Sequence, residues 1–474
     1  MATAPDRLAW SGPRSGSPRQ VGGSARSTIR RSTEGRSAFL LPEFGGIPQL
    51  LRYLLFFCVL LKFTGLGLWP HTYNGESYDA PRWRYYSEMA ITMLSLVTLA
   101  VHAGFLPALF RKNILVVSYT VVAALYPALV LGRTSLSDAS YGLNYIELLA
   151  APMLIVYFDG PGMALRLSVY FGAFFVSMNA LSALQPSRSM MYGLMVAFRG
   201  LTPHRNDLSW YSLYFLFSAL CIRTECRRPI RNFTIAGSAV LILAAGSVQG
   251  ILLSIFGVSL LAAIRSRSSL PKNLIVAALL ALPIAVVAGS LLSEYINDIL
   301  QFFGRDLTFT GRDRIWALSL YRIHDMPWYG YGHGSLSSSR LPLDILELNG
   351  LGTIFGTAHS SYLESILSYG WLLGGSFVVI VSIMVLRTIR MIRSRSEKYV
   401  DIGATLVLFC SIGGFTASEK LFLPTFGWFS FCLGTMYIGY ASVRQVGGVT
   451  KAPDRKTRTS PYGRGAQPFG QARA

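Results

Sequence analysis

Apolar runs of roughly twenty residues recur from Leu51 to Tyr440, and only one polar interruption among them is long. A run of that length crosses the ~30 Å hydrocarbon core of a bilayer as a helix. In lipid every backbone N–H and C=O must be satisfied internally, which α-helices do within a single segment. With 52% hydrophobic and 14% charged residues, the chain has too few polar side chains to cover a water-facing surface. The expectation is an all-α, polytopic membrane helix bundle.

The runs give twelve candidate spans: 48–68, 87–110, 114–132, 143–158, 164–184, 208–222, 230–246, 248–264, 273–292, 360–386, 400–416 and 424–443. Their ends are defined to about 2–4 residues. Basic side chains sort into alternate loops. Arg111 and Lys112, then Arg223 with Arg227, Arg228 and Arg231, then Arg265, Arg267 and Lys272, then the run from Arg387 to Lys398 share one side with both tails. Positive charge resists translocation, so that side is cytoplasmic, and tails on one side require an even number of spans.

Residues 1–46 and 445–474 read as disordered basic cytoplasmic tails around a membrane domain at 47–444, because they are poor in apolar residues and cannot offset the entropy of ordering. The first apolar run has no convincing cleavage site after it and is expected to remain as an anchor. The formal charge of +20 lies largely in tails and short loops, a distribution that sets orientation and does not build a nucleic-acid surface. Cys58, Cys221, Cys410 and Cys432 fall inside apolar runs and Cys226 in a basic loop, so no disulfide or zinc framework follows. Lys62, inside the first run, reads as snorkelling toward a membrane edge.

The long interruption, residues 293–358, is outward-facing on this topology and rich in aromatic residues. Loops of about 65 residues are functional or disordered, and the aromatic content argues for order. From Asp313 to Ile323 the residues Ile315, Trp316, Leu318, Ser319, Leu320 and Ile323 suit one face of an amphipathic helix at the membrane surface, with Arg312 and Arg314 at its start.

Gly304-Arg305-Asp306, Thr310-Gly311-Arg312 with Trp316, Pro327 followed by Gly330-Tyr331-Gly332, and His359 with Gly370 stand in that order, preceded by His204-Arg205-Asn206. This succession resembles the O-antigen ligase-like family of membrane glycan polymerases and ligases, with the nearest likeness to exopolysaccharide polymerases. The resemblance covers about 200–375. It implies a GT-C-like bundle that transfers a glycan from a polyprenyl-pyrophosphate carrier to a sugar hydroxyl, on the periplasmic face of a bacterial cytoplasmic (inner) membrane. Two positions depart from the family pattern: Gln249 stands where a basic residue is usual, and Ser360 where Asn commonly follows the loop His.

The chemistry asks for these residue types. A departing pyrophosphate gains negative charge, and Arg offers a planar, permanently ionised fork to two phosphate oxygens. A hydroxyl acceptor needs a base or an orienting acceptor, and the imidazole pKa lies nearest the working pH. Arg312 and His359 are therefore the expected catalytic residues. Arg205, Arg305 and Arg314 are expected to bind pyrophosphate, with His204, Asn206 and Gln249 supporting. No cofactor is expected, a metal is not demanded by any acidic spacing, and Glu364 points to no obvious partner in the tenth span. Expected partners are the lipid-linked donor, the glycan acceptor, the bilayer, and chain-length regulator and export proteins; nucleic acid is not among them. Two alternatives stay open: a ligase that moves the finished glycan to a lipid acceptor, and a transporter or flippase with the same span count. A transporter usually shows repeated halves and intramembrane charges.

Overall fold

The computed structural model describes residues 46–64, 66, 82–132, 136–185, 190–191, 197–222, 225–266, 273, 312–332, 358–393, 399–416, 421 and 424–448. Residues 274–292 of the ninth expected span, most of the loop at 293–358, and residues 1–45 and 449–474 of the tails lie outside these residues; at 445–448, expected as tail, the last helix continues. The described chain is helical apart from a two-residue antiparallel bridge pairing Met190 with Phe198 and Met191 with Ala197.

Helix α1 (Ile47–Phe63) opens with Pro48 in its first turn, where a missing N–H costs nothing. Helix α2 (Arg82–Val101) breaks at His102 into a short 3₁₀ turn and α3 (Leu106–Lys112), the two parts bent by 64°. Then come α4 (Ile114–Leu129), α5 (Leu136–Leu154) closing in a π turn at Ile155–Asp159, and α6 (Pro161–Ser182). They are followed by α7 (Arg205–Cys221), α8 (Arg228–Ala244), α9 (Val248–Arg265), α10 (Arg312–Asp325), α11 (Ser361–Arg393), α12 (Val400–Thr416) and α13 (Phe426–Gly448). Helices thus stand at each expected span that falls within the described residues. By length and composition, Ala139–Asp159, Pro161–Ser182 and Ser361–Arg393 each suffice to cross a membrane, and the bent pair suffices if taken together. Ile114–Leu129, Gln249–Arg265 and Val400–Phe415 are shorter apolar helices. Exposed Val97, Leu115, Val122, Leu243, Ile255 and Val379 give the bundle the apolar exterior that lipid covers.

The core lies where α4, α5, α11, α12 and α13 meet, with Trp428 between Tyr119, Tyr145, Phe377 and Phe431. Trp210 of α7 stacks on Phe409 of α12 at 4.0 Å between ring centres.

Two charge pairs, Arg52–Asp159 and Arg265–Asp401, mark one end of the bundle. Arg52 grips Asp159 through Nε (2.6 Å) and Nη2 (2.8 Å), while its Nη1 lies 2.8 Å from His102 Nε2. Next to Asp159, Gly162 packs on Tyr399 and Glu225, and close by Arg265 holds Asp401 at 2.8 Å and donates to the Leu220 carbonyl at 3.1 Å. Arg387 donates to Ser442 at 2.7 Å. The start of α1, the ends of α5, α7, α9, α11 and α13, and the starts of α6, α8 and α12 all belong to this basic end. Ser266 lies at this end, and Arg312, the first residue of α10, at the opposite one.

Two expectations need correction. Lys62 does not reach for a membrane edge: its Nζ lies 2.8 Å from Glu147 Oε2 and donates to Asn144 Oδ1 at 2.7 Å, and Thr92 donates to the other Glu147 oxygen at 2.6 Å. Packing of α1 against α5 brings a carboxylate closer than any headgroup, and the pair is buried at 6% and 1% exposure. The tenth span is not continuous. Expected at 360–386, it lies within Ser361–Arg393, whose 33 residues would make a helix of about 50 Å if unbroken, and it breaks at Gly370 (φ 66°, ψ −174°). Beyond the break, residues 371–393 extend about 34 Å and match a bilayer. Residues 361–369 form a separate helical piece at the end opposite the charge pairs.

Candidate functional site

At the end of the bundle away from the charge pairs, three of the sequence motifs become helix starts. Asn179, in the last turns of α6, accepts the Leu201 N–H at 2.9 Å and fixes the turn that leads into α7. His204 is the N-cap of α7, its Nδ1 accepting the Asn206 N–H at 3.1 Å. That bond requires an unprotonated Nδ1, so the neutral ring carries its proton on Nε2. Arg205 is the first residue of α7 and is half-buried.

Ser247 caps α9, its Oγ accepting the Gly250 N–H at 3.2 Å and donating to Asn206 Oδ1 at 2.8 Å. The His-Arg-Asn motif and the turn carrying Gln249 are therefore joined side chain to side chain. Gln249 is half-buried in the first turn of α9.

The third start is that of α11. Ser360 accepts the Glu364 N–H through its carbonyl at 2.8 Å, which leaves His359 just before the helix. His359 is held at φ 50°, alone among the described non-glycine residues in having a positive φ. Such a conformation persists where neighbours over-determine it, and the neighbours here are explicit. The Glu364 carboxylate accepts the Ala358 N–H at 2.6 Å, and the Trp316 indole donates to the Ala358 carbonyl at 3.0 Å. The residue before the expected catalytic imidazole is thus clamped through both its N–H and its carbonyl.

Trp316 ties that clamp to α10, whose first residue is Arg312. Ile315 and Ile323 of α10 pack with Ala358, Ile366 and Leu367. The expected surface helix exists but lies against residues 358–367, with Ile315, Leu318, Ser319 and Ile323 buried. Leu320, expected on the same face, is 57% exposed, because at about 100° per residue it falls off the stripe that Ile315, Ser319 and Arg322 define. The backbone of Arg312 and Arg314 forms the start of α10, and their side chains lie outside the described residues, as does the whole of Arg305.

Beyond α10, the turn at residues 327–332 lies across the break in α11. Tyr331 and Gly332 donate to the Leu367 and Ser368 carbonyls at 2.9 and 2.7 Å, and the Trp371 N–H donates to the Pro327 carbonyl at 2.7 Å. A Cβ on Gly370 would collide with the Trp328 backbone, and one on Gly330 would meet the Gly370 nitrogen at 2.6 Å. Tyr126, from the last turn of α4, donates to the Tyr329 carbonyl at 2.6 Å and the Tyr369 carbonyl at 3.3 Å, stapling the crossing. Burial pushes the Tyr331 phenol above its usual pKa, and the Asp325 carboxylate adds to the shift.

The helix starts meet around the last turns of α12. Trp210, five residues after Arg205, occupies the space a side chain at Gly413 would need, with Leu253 of α9 alongside. Tyr362, three residues after His359, donates to the Ser411 carbonyl at 2.7 Å and packs its ring on Phe415 at 4.5 Å. Arg205, Gln249, Arg312 and His359 consequently belong to one end of the molecule. Among the described residues, no group of three or more His, Cys, Asp or Glu side chains is placed to hold a metal ion.

Sequence reasoning missed Glu364, Tyr126 and the role of Trp316 in holding Ala358. A carboxylate inside an apolar run was the available signal for Glu364, since an ionised group in lipid needs a partner. Tyr126 carried none, because its partners are backbone carbonyls distant in sequence.

Residues 233–378 match the family model described as O-Antigen ligase. The matched range contains Gln249, Arg305, Arg312, Arg314, His359 and Gly370, and begins after the His-Arg-Asn motif. No curated protein matches the chain. Over that range, which spans the α9 and α11 starts, the glycine crossing and the clamped imidazole, the chain is similar to the O-antigen ligase family.

Proposed function

We propose that this protein is a membrane glycosyltransferase that uses a polyprenyl-pyrophosphate-linked glycan as donor and a sugar hydroxyl as acceptor, and acts as a polymerase of repeat units. In this reading the bundle crosses the bacterial cytoplasmic membrane twelve times, both tails are cytoplasmic, and the end bearing His359 faces the periplasm. What supports it is that α7, α9 and α11, which carry Arg205, Gln249 and His359 at their starts, all begin at the end opposite the Arg52–Asp159 and Arg265–Asp401 pairs, with α10 bonded to Ala358 through Trp316. Ser266 and Arg312 belong to opposite ends of the bundle, which supports the reading of an even number of crossings.

Arg312, with Arg205, Arg305 and Arg314, binds the diphosphate and offsets the charge that builds on it as the glycosidic bond to the carrier breaks. The α7, α9 and α11 starts add the positive ends of three helix dipoles to the same region. His359 accepts the proton of the attacking hydroxyl or orients it, and the clamp on Ala358 keeps the imidazole in place. No step requires a metal or a cofactor in this reading. A chain-length regulator and export proteins are the expected partners.

A ligase that hands finished polymer to a lipid acceptor would use the same diphosphate chemistry. A flippase is disfavoured because the buried ion pairs, Lys62–Glu147 and Arg52–Asp159, are closed structural contacts. Deletion in the native host, followed by analysis of surface glycan and lipid-linked intermediates, tests the assignment. Accumulated single repeat units on the carrier support a polymerase, intact polymer retained on its carrier supports a ligase, and repeat units trapped on the cytoplasmic leaflet would overturn glycosyl transfer in favour of transport.

A further inference from the structure

The bond between Asn206 and Ser247 fixes more than the spacing of two helices. Gly250 leaves no room for a side chain against Ser209 of α7, so the starts of α7 and α9 pack closely and Ser247 comes within reach of Asn206. Ser247 is 3% exposed. Its Oγ accepts the Gly250 N–H at 3.2 Å, and its single proton goes to Asn206 Oδ1 at 2.8 Å. A buried hydroxyl proton without an acceptor loses its hydration with nothing in return, so the carboxamide is held with its oxygen, and not its nitrogen, toward Ser247.

The other corner of that carboxamide is thereby determined as well. His204 Nδ1 takes the Asn206 backbone N–H at 3.1 Å and Ser247 takes its side-chain oxygen, which fixes main chain and side chain together. Oxygen and nitrogen occupy opposite corners of a planar amide, so Nδ2 turns away from the buried serine. Asn206 is half-buried, and among the described residues none accepts from Nδ2. Two N–H donors of a fixed carboxamide thus stand beside Arg205, the preceding residue, and beside the turn that carries Gln249. Ser247 has no proton left for a ligand and acts only through Asn206.

We propose that Ser247 is a positioning residue of the donor site: it turns the Asn206 amide nitrogen outward, where Nδ2 donates to an oxygen of the diphosphate that Arg205 binds. This rests on the reading of Arg205 as a diphosphate residue. The carboxamide supplies neutral donors next to the turn where Gln249 stands in place of a cation. A donor held in its binding orientation before the ligand arrives loses little freedom when the ligand binds.

The full chain in phosphatidylcholine nanodiscs is titrated with farnesyl diphosphate and with farnesol, read by tryptophan fluorescence, since Trp210 stands about one turn from Asn206. The wild type responds saturably to the diphosphate and not to the alcohol. Ser247→Gly removes the hydroxyl while glycine remains an acceptable N-cap, so α9 stays folded. It weakens diphosphate binding about 5-fold, the order of one neutral hydrogen bond. Ser247→Thr keeps the hydroxyl and the affinity. Asn206→Ala loses at least as much, and combining it with Ser247→Gly adds no further loss, because the serine works through the amide. Asn206→Asp leaves Ser247 and its cap in place: the carboxylate still accepts from Ser247 but has no N–H to give, so binding weakens although the internal bond survives. Retained affinity in Asn206→Asp overturns the proposal, as do undiminished binding by Ser247→Gly, equal loss in Ser247→Thr, and additive losses in the double variant. Arg205→Ala that binds as tightly as the wild type removes the diphosphate reading and the proposal with it. Loss in Arg205→Ala with none in Ser247→Gly overturns the role of Ser247 and leaves that reading standing.

Discussion

The Glu364 carboxylate accepts the Ala358 N–H at 2.6 Å, from the first turn of the helix that Ala358 precedes. This links a buried acid to the residue beside the imidazole without any contact between the two side chains being needed. Glu364→Ala leaves that amide buried without its acceptor, a cost of about 1–3 kcal/mol, and frees His359 from its fixed conformation. Glycan transfer should fall at least tenfold, whereas Glu364→Gln keeps an acceptor oxygen and should retain most activity. Polymer yield normalised to protein level in the membrane distinguishes them, and equal loss in both variants would point to the charge instead of the bond.

His359 itself sits at φ 50°, a conformation that Asn adopts more readily than most residues. His359→Asn should therefore keep normal membrane abundance and lose polymer formation. Arg312→Ala should give the same pattern, since the start of a helix that is anchored by Ile315 and Trp316 does not depend on it. Polymer of unchanged length and yield in either variant would remove that residue from the reaction.

Gly370→Ala places a methyl group into the Trp328 backbone at a positive φ. The conformation alone costs about 1–3 kcal/mol, and the clash adds to it. Lower melting temperature in detergent is expected, with loss of the 327–332 crossing. Gly375→Ala, where a Cβ meets only the Trp371 ring at an ordinary 3.5 Å, should be close to neutral.

Lys62→Met leaves the Glu147 carboxylate buried and unpaired, and losing one partner of a buried pair costs roughly 3–5 kcal/mol. Combining it with Glu147→Gln should recover much of that loss. Thermal unfolding of the single and double variants measures the difference; a single variant as stable as the wild type would show that the pair contributes little.

Orientation has its own measurement. In a background without the five native cysteines, a cysteine at Ser337 should react with an impermeant maleimide from outside intact spheroplasts, and one at Ser394 only after lysis. The reverse pattern would invert the topology.

Hydropathy and charge spacing were enough to predict the helices, because a chain in lipid has few ways to satisfy its backbone, and the alternation of Arg and Lys between loops is written residue by residue. The stations of the site were legible for the same local reason: His204-Arg205-Asn206, Arg312 and His359 are short strings with recognisable neighbours. Tertiary structure alone decided which strings meet. The Asn206–Ser247 bond, the Trp316–Ala358 bond and the Tyr126 staple join residues 41, 42 and 203 or more positions apart, and no periodicity encodes such pairings. The same holds for Lys62 and Glu364, whose partners exist only once helices pack, and for the break at Gly370, which an apolar run conceals because a kink is set by what crosses it.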